Sequence, residues 1–347
     1  MKTKLQFTIV LMAILCLSTS TGFAKIWRVN NRANIAADFT TAQAAHDGAT
    51  AGDTIYFEPS PNNYGDFALS KQLFIIGTGY FLDANPETQW INNWPSTLNQ
   101  VSFNAGSEYS QLMGVTFTGS CIVSATNITI KRNYFHNEIQ LAASYIEFVE
   151  NFCSRSGLGY NMNAASCINM ANSIHDIIIN NNIFYFSQGG YNNSHVSITG
   201  SIAYNGSFSN NVVSGYVSTY NGSPCGINIE NFVVQNNILS TMDFATNSND
   251  YSFNIANNTA FGNQNSNQQN VDMGTVFLYT GSTDGQFQLK EGSPAIGAGT
   301  GGVDCGAFGG LNPYVLSGLP PVPAIYHFTL GGSGSQYNVS VKVKSHN

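Results

Sequence analysis

Between Lys71 and Lys290 the chain carries only three strongly basic residues, Lys131, Arg132 and Arg155, with the carboxylates Glu147 and Glu150 close to them in sequence. A cation beside a base is the minimum equipment for proton abstraction from a uronic acid unit. The cation neutralises the sugar carboxylate while the base takes the C5 proton. These residues also have a plainer expected use. Arg132 and Glu150 each immediately precede a repeated Asn, so they should lie side by side as a surface ion pair worth about 0–1 kcal/mol. His136, His175 and His195 fall at different offsets from that Asn and should not converge on a metal. Asp243, Asp250, Asp272 and Asp284 lack the spacing of a calcium loop. No metal and no cofactor is expected, although Ca2+ held by carboxylates from separate repeats stays open.

The elements that must position these residues come from a repeat: apolar, any, apolar, two polar, Asn, any, apolar. It runs through Ile128–Phe135, Ile146–Cys153, Ile177–Phe184, Phe208–Val213 and Phe232–Leu239, with a degraded copy at Ile255–Asn258. The marked residues are Asn133, Asn151, Asn182, Asn211, Asn237 and Asn258, spaced 18, 31, 29, 26 and 21 apart. Alternating apolar positions describe a short strand, and Asn tolerates the left-handed conformation of a sharp corner. So short a strand cannot bury its face alone, whereas stacked copies bury a continuous core. Parallel stacking would bring each Asn about 4.8 Å from the next, as an amide ladder.

A second strand should precede each kernel, as in Cys121–Val123, Ile139–Leu141, Cys167–Met170 and Cys225–Ile227. This would put Cys121, Cys167 and Cys225 at equivalent strand starts, with Cys153 in the slot of Phe135 and Phe184. Without a C-x-x-C pair, these cysteines and Cys305 are expected to be free, buried thiols. The residue after each Asn should point outward, giving an apolar row of Tyr134, Phe152, Ile183, Val212, Ile238 and Thr259. That row is either stacked or loop-covered strand surface, or a partner- or sugar-binding stripe. The loops GLGYNMN, SQGGYNN and GYVSTYNGS add Tyr160, Tyr191, Tyr216 and Tyr220, the flat and hydrogen-bonding mix of adaptable binding loops.

Of the 347 residues, 43% are apolar and 9% charged, against about 25% charged in an ordinary domain. Twelve Lys and Arg against nineteen Asp and Glu leave no basic surface for a phosphate backbone, so nucleic-acid binding is not expected. Residues 1–24 have the three parts of a secretory signal: Lys2 and Lys4, the apolar run Leu5–Leu17, and small Gly22 and Ala24 before the expected cut. The protein is therefore expected to be secreted, to the periplasm, the cell surface or beyond. No later segment is long and apolar enough to span a bilayer.

Ala-rich Thr41–Ala51, followed by Gly52-Asp-Thr-Ile55 and by Leu73-Phe-Ile75-Ile-Gly77-Thr-Gly79, resembles the opening of right-handed parallel β-helix proteins of the pectate-lyase-like superfamily. Gly292–Gly299 and Asp304–Phe308 resemble the terminal segment of secreted bacterial members, and the Asn kernel resembles their coil repeat. The resemblance implies an all-β, single-stranded right-handed parallel β-helix over 25–310 with a helical cap at about 25–57. Roughly nine to eleven coils would make a rod about 45–50 Å long. Pro320, Pro321 and Pro323 then open a linker and hairpin at 311–347. The superfamily includes lyases, hydrolases, esterases and adhesins, and the polygalacturonase-like set of N-T-D, D-D, G-H-G and R-I-K is absent here. A non-catalytic protein binding polysaccharide or an extracellular protein is the expectation. A polysaccharide lyase or hydrolase with an atypical site, and a structural surface-assembly protein, are the alternatives.

Overall fold

Alternation of apolar side chains over three or four residues becomes a strand wherever it recurs with the kernel's spacing. A computed structural model describes residues 24–85, 87–88, 93–154, 166–186, 198–215, 226–244, 248–333 and 336–345. The expected leader, together with Arg155, Tyr160, Tyr191, His195, Tyr216, Tyr220 and Cys225, lies outside them. The chain repeats a three-strand circuit: Ile128–Lys131, Tyr134–Phe135 and Ile139–Leu141, then Ile146–Val149, Phe152–Ser154 and Ile168–Met170. Each strand pairs in parallel with its equivalent in the next circuit. Ile128 faces Ile146 and Ile146 faces Ile177; Phe135 faces Cys153; Ile139 faces Ile168. The protein is thus all-β, built from parallel strands in long stacked sheets, an arrangement compatible with a parallel β-helix.

Three walls result. The first contains the strands in register with Ile128–Lys131, the second those in register with Tyr134–Phe135, and the third those in register with Ile139–Leu141. Inward side chains such as Ile130, Phe148, Ile179, Phe135, Phe184, Leu141 and Ile168 form one continuous buried cluster. Burying a side chain of this size contributes roughly 1.5–3 kcal/mol. Stacking therefore supplies what no single circuit has.

The asparagine column is real and its chemistry is regular. Each buried Asn accepts, on Oδ1, the backbone N–H of the preceding Asn, from Asn133 to Asn151 (2.9 Å) through Asn182, Asn211 and Asn237. Each Nδ2 donates to the next Oδ1 and to a backbone carbonyl, as Asn182 does to Asn211 (3.0 Å) and to Phe148 (2.9 Å). The last two rungs are Asn254 and Asn267, reached at 3.0 and 2.9 Å. Asn258 is a correction. It donates to the Met242 carbonyl, accepts from the Ala260 N–H and is not a rung. The degraded copy was aligned on Ile255, but pairing of Val233 with Asp250 puts Phe253 and Asn254 in the corner.

Corner conformation also differs from expectation. The left-handed residue is the one before each ladder Asn: Arg132, Glu150, Asn181, Asn210, Asn236 and Phe253, with φ from 53 to 58°. A second left-handed column, Tyr109, Asn127, Tyr145, Asp176, Asn205 and Asn231, turns the chain from the third wall into the first.

The expected helical cap over 25–57 is not evident. Only Ala42–Gly48 is helical, N-capped by Thr41, while Ile26–Val29 and Thr54–Phe57 pair with each other in the first wall. Seven residues are too few to seal a core, and strand pairing claims the rest. The cysteines are not equivalent either. Ile139 faces both Cys121 and Ile168, so Cys167 stands one residue outside that column. At the far end, Ala324–Ser333 and Gln336–Lys344 pair antiparallel.

Candidate functional site

Of the residues expected to do chemistry, Lys131, Arg132 and Glu150 are brought together, but in a closed form, while Arg155 lies outside the described residues. Glu150 is 1% exposed, and both its oxygens are taken, Oε2 by Arg132 Nε at 2.6 Å and Oε1 by Lys131 Nζ at 2.7 Å. Arg132 also donates from Nη1 to the Leu319 carbonyl at 2.9 Å. The pair is therefore buried, not superficial, because residues around 319 cross over this corner. Glu147 projects from the outer face of the first wall, where Thr129 donates to it, and takes no part. Glu150 is buried and engaged with both cations, so a substrate has no open approach to it. This cluster holds the fold.

The apolar row after each Asn is also closed. Phe152, Ile183, Val212, Ile238 and Ile255 are buried in a second cluster with Met273, Val276, Phe277, Phe287, Ala295, Cys305, Ala307 and Tyr314. The sequence from 271 to 319 thus forms a cover over the second wall from Phe152 to Ile255. Thr259, aligned through Asn258, is exposed and does not belong to the row. Tyr134 packs at 4.9 Å from Phe81 and 5.4 Å from Phe152, and donates or accepts at Ser154 Oγ (2.9 Å). Phe152 is thus fully buried, and Tyr134 is half-buried against Phe81. Burial raises the Tyr134 hydroxyl above its ordinary value.

Corner residues fasten this cover. Asn181 donates to the carbonyls of Ala307 (3.0 Å) and Gly309 (2.7 Å), Asn210 to that of Asp304, and Asn236 accepts from Thr300 N–H at 2.9 Å. At the other end Asp284, fully buried, accepts from Asn85, Ser282, Tyr314 and the Ser317 N–H. Tyr314 meets Tyr80 at 2.6 Å, and burial holds both phenols well above their usual range. Asp284 is a latch, and Asp272 caps the short helix Met273–Val276. Among the described residues no three His, Cys, Asp or Glu side chains converge as metal ligands.

The first and third walls keep accessible outer faces, the first through Thr129, Glu147, Ile178 and Val233; the third is the more uniformly polar. Its outward column runs Ala68, Ser102, Ile122, Gln140, Asn169, Thr199 and Asn228, one per circuit and in register, and is polar over its last four members. None is charged. Glu138 stands beside it and accepts from Gln140 at 3.1 Å. The second left-handed corner borders this column with half-exposed Tyr145 and Tyr204, which sandwich His175: ring centroids are 5.0 Å and 4.6 Å apart, the second pair stacked. Asp176 accepts from His175 Nδ1 (2.7 Å) and Asn205 Nδ2 (3.0 Å), which hold its carboxyl below the usual range.

No family model, curated protein or solved structure matches the chain. The site is therefore argued from its own residues. Sequence reasoning named the third-wall strands but not their outward residues, although the middle position in Ile139-Gln-Leu141 marks one. Tyr145, His175 and Tyr204 carried no signal, since they sit in corners at two different offsets from the strand that follows.

Proposed function

We propose that the protein is a secreted or cell-surface right-handed parallel β-helix protein that binds neutral polysaccharide without turning it over. What carries this reading is the uncharged, in-register column Gln140–Asn169–Thr199–Asn228, edged by the Tyr145–His175–Tyr204 ridge. Amides and hydroxyls at strand spacing, about 4.8 Å, offer repeated donors and acceptors to a repeating chain of hydroxyls. Aromatic rings at the border add apolar area at low entropic cost. Among the described residues Lys131 and Arg132 are committed to Glu150, and the outward column itself carries no cation for an acidic polymer. The signal-like residues 1–24 support export, and the domain division at 25–310 and 311–347 belongs to the same proposal.

The test is retention of the purified protein in gels containing cellulose derivatives, xylan, galactomannan or polygalacturonate. Retardation by a neutral polymer, abolished by Asn169→Asp together with Thr199→Glu, is expected, with no release of reducing ends. Retardation by polygalacturonate with 4,5-unsaturated products would reverse the reading in favour of a lyase.

A further inference from the structure

Beside the final ladder rung the stack of circuits ends in a cavity of about 430 Å³, at the small end of the roughly 300–1,000 Å³ of small-molecule sites. Two rings supply its apolar lining: Tyr251, on the strand Asp250–Ser252 that pairs with Val233–Gln235, and Phe261, from the loop that follows. Buried Phe244 packs at 5.5 Å from the first ring and 5.2 Å from the second, which holds both in place. The loop is held as well. Asn267, the final rung, donates from Nδ2 to the carbonyls of Phe261 (3.3 Å) and Gln264 (2.8 Å). Asn249 donates to the Tyr251 hydroxyl oxygen at 2.9 Å, and Asn265 Nδ2 to the Tyr251 carbonyl at 3.2 Å.

The rim of this cavity carries acceptors with nothing to accept from. Asp250, Gln264 and Asn265 are exposed there. Among the described residues, no donor reaches the Asp250 carboxylate, and the Gln264 and Asn265 amides are engaged only through Nδ2 or Nε2, which leaves both amide oxygens open. Closing the end of the core requires the rings alone; it does not require a set of open oxygens above them. Fixed rings offer a flat surface to the C–H face of a sugar, and the oxygens take its hydroxyl protons. The carboxylate makes the strongest of these bonds, roughly twice a neutral one, and its charge turns away an anionic sugar.

We propose that this cavity binds one neutral pyranose ring, packed on Tyr251 and Phe261 with its hydroxyls donated to Asp250, Gln264 and Asn265. The site is separate from the Gln140–Asn228 column and does not rest on the polysaccharide reading of that column. A free monosaccharide and the end residue of a glycan chain share this chemistry.

The full chain is titrated with neutral hexoses and pentoses, their methyl glycosides, the matching short oligosaccharides and the matching uronic acids, by saturation-transfer NMR and calorimetry. Saturation transfer to the C–H protons of at least one neutral pyranose is expected, with weaker binding of its uronic acid. Asp250→Ala should weaken that binding about tenfold, as loss of one hydrogen bond to a charged group, and Gln264→Ala should weaken it less. Both side chains are exposed, so the melting temperature of each variant should match wild type. Tighter binding of an oligosaccharide than of its methyl glycoside assigns the cavity to a chain end, and equal binding assigns it to a free sugar. No transfer to any sugar, binding indifferent to both substitutions, or capture of calcium or tetramethylammonium ion in preference to sugars would overturn the proposal. Retention of Asp250→Ala by a neutral polymer gel reports on the third-wall column alone, so the two readings fail separately.

Discussion

The second and third walls start from the same kind of strand and end in opposite states. The second presents Phe152, Ile183, Val212 and Ile238 outward and is roofed by residues from 271 to 319. The third presents Gln140, Asn169, Thr199 and Asn228 and carries no such roof among the described residues. The difference lies in one outward residue per circuit. A stacked apolar column needs cover to remove its surface from water, and this chain supplies the cover from its own sequence. A stacked polar column already satisfies water and stays available to something else that offers hydroxyls.

The contrast breaks first under truncation of the covered row. Phe152→Ala should cost about 3–5 kcal/mol, as for any large side chain deleted from a core, whereas Asn169→Ala should stay within about 0.5 kcal/mol. Urea denaturation monitored by circular dichroism checks both. Equal costs would mean that the cover does not bury its wall.

Next is the charge cluster beneath the cover's end. Glu150→Ala leaves Arg132 buried without its carboxylate and should cost about 3–5 kcal/mol, read as a loss of denaturation midpoint. A surface pair would have lost about 1 kcal/mol or less. Salt should barely change the wild-type contribution.

The ladder gives a finer test. Asn182→Ala strands the Asn151 N–H and the Phe148 carbonyl and should cost roughly 2–4 kcal/mol. Asn258→Ala, outside the ladder, should cost about 1 kcal/mol or less. Thermal melts of the two variants should therefore separate clearly.

Most of the fold was legible because its signal is periodic. The kernel fixed the strand sequence, the stacking and the first five rungs, Asn133 to Asn237. It failed at Asn254, where Tyr251, Ser252 and Phe253 replace the apolar-polar pattern and only pairing with Val233–Gln235 reveals the register. The closed state of the apolar row was not legible, since it depends on contacts between Ile183 or Val212 and residues nearly a hundred positions later. For the same reason Arg132 and Glu150 read as a surface pair: nothing local announces that Leu319 passes above them.

The smallest expected effect is at the first circuit, remote from both walls. Burial alone would raise the Asp53 carboxyl, but hydrogen bonds from the Lys25 and Thr50 N–H groups, the Trp27 indole and the Thr50 hydroxyl outweigh it and lower it from 3.8 to about 2. A lowered acid stabilises the fold above its unfolded value and loses that contribution as pH falls through its folded value. Asp53→Asn should therefore lower the melting temperature at pH 7, and the gap from wild type should close between about pH 4 and pH 2.

The central claim, that the polar column of the third wall is the ligand face and the covered second wall is not, is tested most directly by amide hydrogen exchange with and without a retained neutral polysaccharide. Slowed exchange is predicted at Ile139–Leu141, Ile168–Met170 and the corner around Tyr204, with residues 271 to 319 unchanged. Protection confined to 271 to 319, with the third wall unaffected, would contradict it.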